Sequence, residues 1–476
     1  MNIKKISEFE WEIQKEGDMH VPGRIFASEN ILNKIKEDGT LNQIRNVAAL
    51  PGIYKYSICL PDAHFGYGFP IGGVAALDVE KGGLSPGGIG FDINCGVRLV
   101  RTNLTTKEIK PHLKHLLDEL FKNIPAGVGK KGKIRLTKQD LLEPLEIGAK
   151  WAIENGYGWK KDLEVLEEGG SMEANSDYVS EKALERGRAQ IGTTGAGNHF
   201  VEIQRVENIF DEKAAKVYGL ENNQIVLMIH TGSRGFGHQI CSDYIREMET
   251  KFSDLVSKLP DRQLVYAPAG SKTCEEYFEA MKCAANFAWC NRQLIVHWAR
   301  EAFENVLKQS PEDLGMDIVY DVAHNIAKRE THIIDGEKKE VFVHRKGATR
   351  AFPKGHKDVT QKYRQIGQPV LIPGSMGTSS YVLKGMERSM EISFGSTAHG
   401  AGRVLSRAAM IRKTRGEAVK AELEKRHILS KAASWRVMAE EAPEAYKDID
   451  EVIRVSDGLG IAKTVAKLRP LAVMKG

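Results

Sequence analysis

The sequence predicts an α+β fold, because strand-like runs and helical segments are interleaved without a regular strand–helix period. Apolar, β-branched runs at 225–230, 318–322, 341–344 and 370–372 predict short strands. Many of the 46 glycines are concentrated in short loops beside such runs. A strict βαβ alternation, which would predict a doubly wound parallel sheet, is absent.

Three helices are predicted between the loops. The first covers about 105–121, where Thr105 and Glu108 have the spacing of a capping box and leucines recur at helical intervals. The second is long and starts near Ser271, and the third covers 403–425.

The chain length of 476 residues, 42% of them hydrophobic, allows one large core or two fused domains. No linker-like segment divides the sequence, so a single domain over 1–476 is expected. No run of about 18 apolar residues occurs, which predicts no membrane span. The N-terminus has no apolar signal segment, so we expect a cytoplasmic protein.

The composition excludes two simple explanations of function. The 68 Lys and Arg residues against 63 Asp and Glu give a net charge of +5, which is too small over this length to indicate a nucleic-acid binder. Any polyanion site must therefore be a local patch. The cysteines form no CxxC pair, which argues against a zinc knuckle or a dithiol redox motif. They lie at positions 59, 95, 241, 274, 283 and 290.

Glycine-rich loops hold a group of potential metal donors. His199, His230 and His324 stand beside such loops, and Asp92 and Cys95 are three residues apart in GFDINCG. Singly, a histidine in this setting is more often a hydrogen-bonded core or loop residue. Together the five side chains provide enough donors for two metal ions, which a thiolate can bridge. Ligand softness alone suggests zinc and does not point to manganese.

The segment GSTAHGAGR at 395–403 is a second candidate site. His399 is surrounded by small residues just before a predicted helix start, and Gly400 and Gly402 allow a ligand to approach the backbone closely. Free N–H groups at a helix N-terminus suit phosphate, and a histidine held there could attack phosphorus. The residues alone also leave His399 open as a metal ligand or a cap.

Basic residues near these loops are candidates for phosphate binding. Arg234 lies in TGSRGFG, and the stretch 344–356 contains Arg345, Lys346 and Arg350. A charged run is usually a solvated face. The glycine and proline inside this stretch predict a loop, which favours a functional interpretation.

Two strings resemble nucleotide-binding motifs and are rejected. GVGKKGK at 127–133 has lysine where a Walker loop requires Ser or Thr. Lys36 begins the string KEDG, which matches the KxDG motif of lysine-dependent nucleotidyl ligases, but its position after ILNKI predicts a polar helix end before Gly39.

Eight segments, the last of which is the C-terminal KG, occur in the order that is typical of the RtcB family of RNA ligases, which the sequence resembles. The resemblance runs from about residue 20 to the last residue, and no matched position departs from the family pattern. The segments are GFDINCGVR, GNHFVEI, HTGSRGFGH, DVAHN, HRKGATRAF, PGSMGTSS, GSTAHGAGR and that C-terminal KG.

The resemblance implies a single RtcB-like domain with a dinuclear manganese site in which Cys95 bridges the two ions. The remaining protein ligands would be Asp92 with His199 for one ion and His230 with His324 for the other. His399 would be the residue that takes GMP.

The resemblance also implies a nucleotide pocket around these donors. Its contacts would be Asn198, His199, Phe200, Val201, Glu202, His324, Asn325, Pro373, Gly374, Ser375, Met376, Ser380, His399, Gly400, Ala401, Gly402, Tyr446 and Lys475. The residues implied to face phosphates of GTP or RNA are Arg234, Lys346, Arg350 and Arg403.

The implied reaction uses GTP and two Mn²⁺ ions. His399 would attack the α-phosphate, pyrophosphate would leave, and GMP would remain on the histidine. An RNA 2′,3′-cyclic phosphate would be opened to a 3′-phosphate that receives the GMP, and the 5′-hydroxyl of a second RNA would displace it. The implied substrates are tRNA halves or broken RNA, and some family members need a small protein partner, archease.

Two other functions are consistent with the same donors. A dinuclear hydrolase of phosphate esters could use the same ligand set, but it would leave GSTAHGAG and the Lys475 tail without a role. A non-enzymatic RNA-binding subunit with a structural metal would bind RNA without consuming GTP.

Overall fold

The structure, a computed structural model, describes residues 1–476 and confirms the α+β class. All four predicted strand runs lie within strands, although the last strand, of 14 residues, is far longer than the short strands expected. In chain order the strands are β1 (Ile3–Lys5), β2 (Glu10–Ile13), β3 (Gly23–Phe26), β4 (Ser57–His64), β5 (Ile71–Asp78), β6 (Gly83–Leu84), β7 (Gly96–Thr105), β8 (Phe200–Ile209), β9 (Gln224–Thr231), β10 (Ala267–Pro268), β11 (Ile318–Ala323), β12 (Asn325–Ile334), β13 (Glu337–Lys346), β14 (Ala348–Arg350), β15 (Pro369–Ile372), β16 (Ser380–Gly385), β17 (Ser396–Ala398), β18 (Leu429–Ala432) and β19 (Ala462–Lys475).

Most of the strands belong to two large sheets. The first sheet has the order β1-β2-β3-β4-β5-β13-β12, and the second has the order β11-β7-β9-β8-β19-β16-β15. In the second sheet β19 lies between β8 and β16 and is antiparallel to both, while β18 pairs with it in parallel. Two small sheets, β6 with β10 and β14 with β17, complete the pairing.

The helices lie between and around these strands. The α-helices are α1 (Glu29–Glu37), α2 (Thr40–Val47), α3 (Thr106–Ile109), α4 (Leu113–Asn123), α5 (Lys138–Ile147), α6 (Ala149–Glu154), α7 (Glu181–Arg188), α8 (Glu212–Tyr218), α9 (Arg234–Lys251), α10 (Ser253–Val256), α11 (Lys272–Leu307), α12 (Glu387–Ile392), α13 (Arg407–Lys413), α14 (Gly416–Lys425), α15 (Trp435–Glu440) and α16 (Ile449–Gly458). Short 3-10 helices cover Pro86–Gly88, Lys160–Val165, Glu167–Gly170, Ser176–Tyr178, Arg262–Leu264 and Pro443–Ala445. None of the helices is long and apolar enough to cross a lipid bilayer.

Two of the predicted helices are interrupted. The capping box of Thr105 and Glu108 is present, but it opens only the four-residue α3, and α4 starts afresh beyond Pro111. Proline has no N–H to continue the helical hydrogen bonds, which accounts for the break. The helix predicted over 403–425 begins only at α13 and is divided before α14 by extended backbone at Thr414 and Arg415.

The long helix α11 is confirmed, and its Ser271 side chain accepts the N–H of Cys274 at 3.2 Å as the predicted cap. It buries polar side chains as well as apolar ones. Arg292 and Arg98 both donate to Asp321 on β11 at 2.7 Å, and Trp289 donates to its other oxygen at 3.0 Å. This cluster of Asp321, Arg98, Arg292 and Trp289, here called the closed cluster, fixes the helix against the second sheet.

One residue connects the two large sheets. The chain leaves the second sheet at the end of β11, passes through His324, and enters the first sheet at Asn325, the start of β12. The His324 N–H donates to the carbonyl of Cys95 at 2.9 Å, which ties this crossing to the start of β7. The loops that carry the predicted donors therefore meet where the two sheets adjoin.

Candidate metal and nucleotide site

The loop that precedes β7 places Asp92 and Cys95 at this junction. Gly90 has φ +97° and Asn94 has φ +49°, so the backbone turns twice within five residues. The Asn94 side chain donates to the carbonyl of Ala285 on α11 at 2.8 Å, and Arg292 donates to the Asn94 carbonyl at 2.9 Å. Hydrogen bonds to α11 thus hold this loop in position.

Five donor side chains converge here. The sulfur of Cys95 lies 3.3 Å from Nε2 of His199 and 3.3 Å from Nε2 of His230. Nε2 of His230 lies 3.2 Å from Nε2 of His324, and Nε2 of His199 lies 2.9 Å from an oxygen of Asp92. Two groups share the thiol, namely Cys95 with His230 and His324, and Cys95 with Asp92 and His199.

The chemistry of these donors fits a pair of cations. Burial and neighbouring histidines hold the pKa values of His230 and His324 well below the usual range, so both rings are neutral and offer lone pairs. Their Nδ1 atoms are buried without a protein partner, so no second hydrogen bond within the protein fixes either ring. Burial and the Asp92 carboxylate raise the pKa of the Cys95 thiol, and a bound cation would reverse that effect.

His399 is placed differently from its predicted position. It follows β17 as a non-helical residue, and the next helix, α13, begins only at Arg407, so the prediction of a helix N-terminus beside His399 was wrong. Its backbone N–H donates to Oδ2 of Asp62 at 2.9 Å, and the Gly400 N–H donates to the same oxygen at 3.3 Å. A buried carboxylate occupies the position where phosphate binding by a helix end was expected.

Asp62 also holds the ring of His399. Its Oδ2 lies 2.5 Å from Nδ1 of His399, and its side chain is fully buried on β4. Burial alone would raise the pKa of the Asp62 carboxyl, but His399 and then Lys447 lower it, so it is a carboxylate. With Nδ1 bonded to Asp62, the free nitrogen of His399 is Nε2, and the ring packs edge-on to His324 with centroids 4.8 Å apart.

Sequence reasoning did not identify Asp62. The residue is 337 positions away from His399 in the chain, and it lies in the apolar run SICLPDAH. A signal was present, because a carboxylate is rare in such a run and GYGFPIGG follows it closely. The run is the buried strand β4, whose end brings Asp62 beside β17.

A cavity of about 320 Å³ opens onto the donors and His399. This volume is at the lower end of small-molecule sites. Of the residues predicted for the site, those that line the cavity are Asp92, Cys95, Asn198, His230, His324, Asn325, Lys346, Pro373, Gly374, Ser375, His399, Gly400, Ala401, Gly402, Arg403, Tyr446 and Lys475. The predicted residues just outside the lining are His199, Phe200, Val201, Glu202, Met376 and Ser380, all of them buried.

One wall of the cavity is a hydrogen-bonded cluster around Glu441, which was not predicted. The Tyr446 hydroxyl donates to Glu441, and Arg403 donates to Glu441 at 3.2 Å and to the Tyr446 oxygen at 3.1 Å. Nζ of Lys475, at the end of β19, lies 3.8 Å from Glu441 and over the ring of Phe200. Glu441 is fully buried and neutralises a group of basic side chains that would otherwise repel one another.

Behind this wall lies a buried carboxyl with a raised pKa. Burial raises the pKa of Glu202 to about 8, although Gln204 and Lys475 act in the opposite direction. Gln204 bridges Glu202 at 2.5 Å and the Ser380 hydroxyl at 3.0 Å, and Ser380 accepts the N–H of Gly374 at 3.1 Å. These contacts link β8 to the predicted wall at 373–376.

Arg234 is positioned behind the metal donors. Its Nη1 lies 2.9 Å from Nδ1 of His199, and its backbone N–H donates to Asp92 at 3.2 Å. A Cβ on Gly195 would fall 1.6 Å from the Arg234 guanidinium, so only glycine leaves room for this side chain.

The stretch 344–356 was predicted to be a loop, but its first half belongs to β13 and β14. Lys346 lines the cavity, and its Nζ donates to the carbonyls of Tyr67 at 2.5 Å and Phe69 at 3.0 Å. Arg350 is outside the cavity, where its buried guanidinium donates to Glu168 at 2.6 Å. The charge run is buried because each of these side chains has an internal partner.

The KEDG string at Lys36 is a helix end, as predicted. Lys36 is exposed in the last turn of α1, Asp38 caps the helix, and Gly39 has φ +86°. Lys36 does not line the cavity.

The sequence of the chain is similar to those of a known protein family. The chain matches the family described as tRNA-splicing ligase RtcB over residues 43–476. It is 58% identical to a tRNA-splicing ligase RtcB of Thermococcus kodakarensis over all of this chain and 99% of that protein. It is 55% identical to one of Methanococcus maripaludis and 53% identical to one of Archaeoglobus fulgidus, each over all of this chain and 99% of the relative. On the family match and this identity along its whole length, the chain belongs to the RtcB family of tRNA-splicing ligases.

Proposed function

We propose that residues 1–476 act as one domain and form a GTP- and manganese-dependent RNA ligase. The enzyme joins an RNA end that carries a 2′,3′-cyclic phosphate or a 3′-phosphate to a 5′-hydroxyl end, in tRNA splicing and RNA repair. The observation that carries the proposal is the Asp62–His399 pair, which leaves an imidazole nitrogen free beside the five donors.

His399 is the nucleophile in this proposal. Asp62 accepts a hydrogen bond from Nδ1–H and so leaves the lone pair on Nε2, as a carboxylate does for the histidine of a catalytic triad. Nε2 attacks the α-phosphorus of GTP, a nitrogen–phosphorus bond forms, and the bond to the leaving pyrophosphate breaks. Asp62 stabilises the positive charge that the ring gains in this step.

The two donor groups are the proposed ligands of the two metal ions. Asp92, Cys95 and His199 would hold one manganese ion, and Cys95, His230 and His324 would hold the other. When bound, the ions polarise the phosphate and neutralise the charge that develops on it. The close approach of His399 to His324 places the nucleophile beside this charge.

The nucleoside end of GTP fits the wall around Glu441. Lys475, Tyr446 and Arg403 present polar groups to the cavity, and Glu202 lies buried behind them. When it is ionised, the Glu202 carboxyl can accept two N–H groups from guanine, whereas the corresponding edge of adenine presents an acceptor at N1, which favours GTP over ATP. Asn198, Gly400 and Lys346 are suited to the phosphates and sugar.

The later steps return His399 to its starting state. The RNA 3′-phosphate attacks the phosphorus held on Nε2, which breaks the nitrogen–phosphorus bond and forms a phosphoanhydride to GMP. The 5′-hydroxyl of the second RNA then attacks the RNA phosphorus, and GMP leaves. The partners are therefore two RNA ends, and archease is the protein partner proposed to support turnover. Arg234 and Arg403 are proposed to bind phosphates, whereas the ion-paired Arg350 has no such role in this proposal.

Labelling with GTP tests the nucleophile directly. The wild-type protein should retain an acid-labile label after incubation with α-³²P-labelled GTP and Mn²⁺. His399→Ala should abolish the label, because no neighbouring side chain can replace the imidazole. Lys36→Ala is the matched control and should be labelled normally; loss of label in this control with retention in His399→Ala would overturn the histidine mechanism.

The chemistry of the RNA ends separates the ligase from a dinuclear hydrolase. RNA with 2′,3′-cyclic phosphate and 5′-hydroxyl ends should be joined, and ³²P placed in the 3′-phosphate should be retained at the junction. RNA with 3′-hydroxyl and 5′-phosphate ends should remain unjoined. Release of the 3′-phosphate without GTP consumption would favour the hydrolase instead.

A further inference from the structure

Three aromatic rings extend from the cavity to the surface without a role in the proposed chemistry. Phe91, next to the donor Asp92, stacks on His238 with ring centroids 4.8 Å apart and an interplanar angle of 29°. Tyr67 meets Phe91 edge-on at 5.4 Å. Tyr67 and Phe91 line the cavity, whereas His238 on α9 is exposed to solvent. These rings are called the aromatic array below.

The array is held in place by neighbouring backbone contacts. Lys346 donates to the Tyr67 carbonyl, and a Cβ on Gly68 would fall 2.4 Å from the carbonyl of Gln263, so the segment after Tyr67 is packed closely. Phe91 follows Gly90, whose φ of +97° turns the ring toward α9. Rings fixed in this way lose little conformational freedom when a ligand binds them.

The position of the array indicates the kind of ligand. It adjoins the donor Asp92 and the cavity, so a strand whose end reacts at His399 lies within reach of it. The wall around Glu441, where guanosine is proposed to bind, is formed by other residues, namely Tyr446, Lys475 and Arg403. Single-stranded RNA is bound by stacking of its bases on aromatic rings, and such stacking tolerates any base.

We propose that the aromatic array stacks on an unpaired nucleobase of an RNA end during joining. This proposal rests on the proposed function, since it takes RNA as the substrate at His399. The base belongs either to the nucleotide that carries the 3′-phosphate or to the nucleotide that carries the 5′-hydroxyl. Stacking holds the RNA end over the cavity. Because stacking does not depend on which base is present, it suits a ligase that acts on RNA ends of varied sequence.

RNA that contains 2-aminopurine tests the proposal, because stacking quenches its fluorescence. One oligonucleotide carries 2-aminopurine beside the 3′-phosphate, and another carries it beside the 5′-hydroxyl. Wild-type protein without GTP should quench one of the two, which identifies the strand. Quenching should be lost in Phe91→Leu, and RNA affinity should fall roughly 10- to 100-fold.

Substitutions at His238 protect this test against unfolding, because His238 is exposed. His238→Ala should weaken quenching and raise the KM for RNA, and His238→Phe should restore both. Phe65→Ala is the matched control, since Phe65 is 56% exposed and makes no ring contact with the array. Absence of quenching at both positions, or equal quenching in His238→Ala and wild type, would overturn the proposal.

GTP labelling of His399 distinguishes the two levels of inference. His238→Ala should be labelled like wild type, because His238 does not line the cavity in which GTP is proposed to bind. Failure of labelling in the wild type together with quenching of the RNA would remove the proposed ligase mechanism and leave the stacking site standing.

Discussion

The closed cluster and the candidate metal donors are both buried polar groups at the second sheet, but only the closed cluster pairs its carboxylate with cationic side chains of the protein. Both oxygens of Asp321 are bonded, by Arg98, Arg292 and Trp289 at 2.7 to 3.0 Å. The donor group around Cys95 instead brings lone pairs together, with no cationic side chain among the two donor sets. A carboxylate that is bonded by arginines inside the protein stabilises the fold, whereas a group of donors without a cationic side chain offers a site for cations from solution.

The two clusters are also mechanically connected. Nη1 of Arg292 donates to the carbonyls of Asn94 and Thr231 at 2.9 Å each. These two residues adjoin Cys95 and His230 in the chain. The closed cluster therefore positions the donors. The four experiments below should separate the loss of metal from the loss of the surrounding fold.

The largest expected effect is on metal content. Cys95→Ser should lose both ions, because its sulfur belongs to both donor groups, whereas His324→Ala should lose mainly one. Metal analysis after dialysis against manganese measures this difference. Cys59→Ser, at a buried cysteine outside the donor groups, should keep the full load. A full load in Cys95→Ser would mean that Cys95 is only a structural thiol.

The next largest effect is on the nucleophile. Asp62→Asn should slow GTP labelling of His399 on the order of 10²- to 10⁴-fold, because an amide cannot stabilise the imidazolium and favours the wrong tautomer. The metal content should stay at the wild-type level, since Asp62 is in neither donor group. Single-turnover labelling at saturating GTP gives the rate. An unchanged rate would restrict Asp62 to holding the backbone of His399 and Gly400.

Disruption of the closed cluster should act on the fold itself. Asp321→Ala should reduce the free energy of unfolding by roughly 3–5 kcal/mol, because it leaves buried arginines without their carboxylate. Urea denaturation measures the change. Glu340→Ala, which removes an exposed pair with Arg329, should cost less than about 1 kcal/mol. Similar losses in the two variants would contradict the structural role of the closed cluster.

The smallest effect, counted for each site, is the stabilisation of the fold by metal. Manganese at about 100 times its dissociation constant should raise the free energy of unfolding by about 2.7 kcal/mol per site. Cys95→Ser should show no such increase, whereas the folded fraction of Asp321→Ala should still respond. Thermal unfolding with and without manganese tests both expectations, and an equal response of wild type and Cys95→Ser would exclude the donors as the stabilising site.

The candidate donors could be proposed from the sequence because their patterns are local: Asp92, Cys95 and His199 stand in glycine-rich loops, and His230 and His324 come at the ends of apolar runs. The α+β class and the start of α11 at Ser271 are predictable for the same reason, since periodicity and caps are short-range signals. Asp62 is different, because its role depends on β4 and β17 meeting across 337 residues. Glu441 is hidden in the same way within a helical, charged segment.

Two local patterns gave wrong predictions because tertiary contacts override them. Glycines around His399 indicated a helix start, but the N–H groups there are used by the buried Asp62, and the helix begins at Arg407. Glycine and proline in 344–356 indicated a loop, but the chain forms paired strands in which Arg350 is buried by Glu168. Neither partner lies near these segments in the chain.

The helix α11 has a consequence for protein engineering. It spans 36 residues, about 54 Å, and its Asn286, Asn291 and Arg292 side chains bond the backbones of segments from Leu145 to Gly232. The helix therefore holds in position several loops that are distant from it in the chain. A graft that copied only the four donor-bearing segments onto a new scaffold would lose their spacing, whereas a graft that included this helix would keep them aligned.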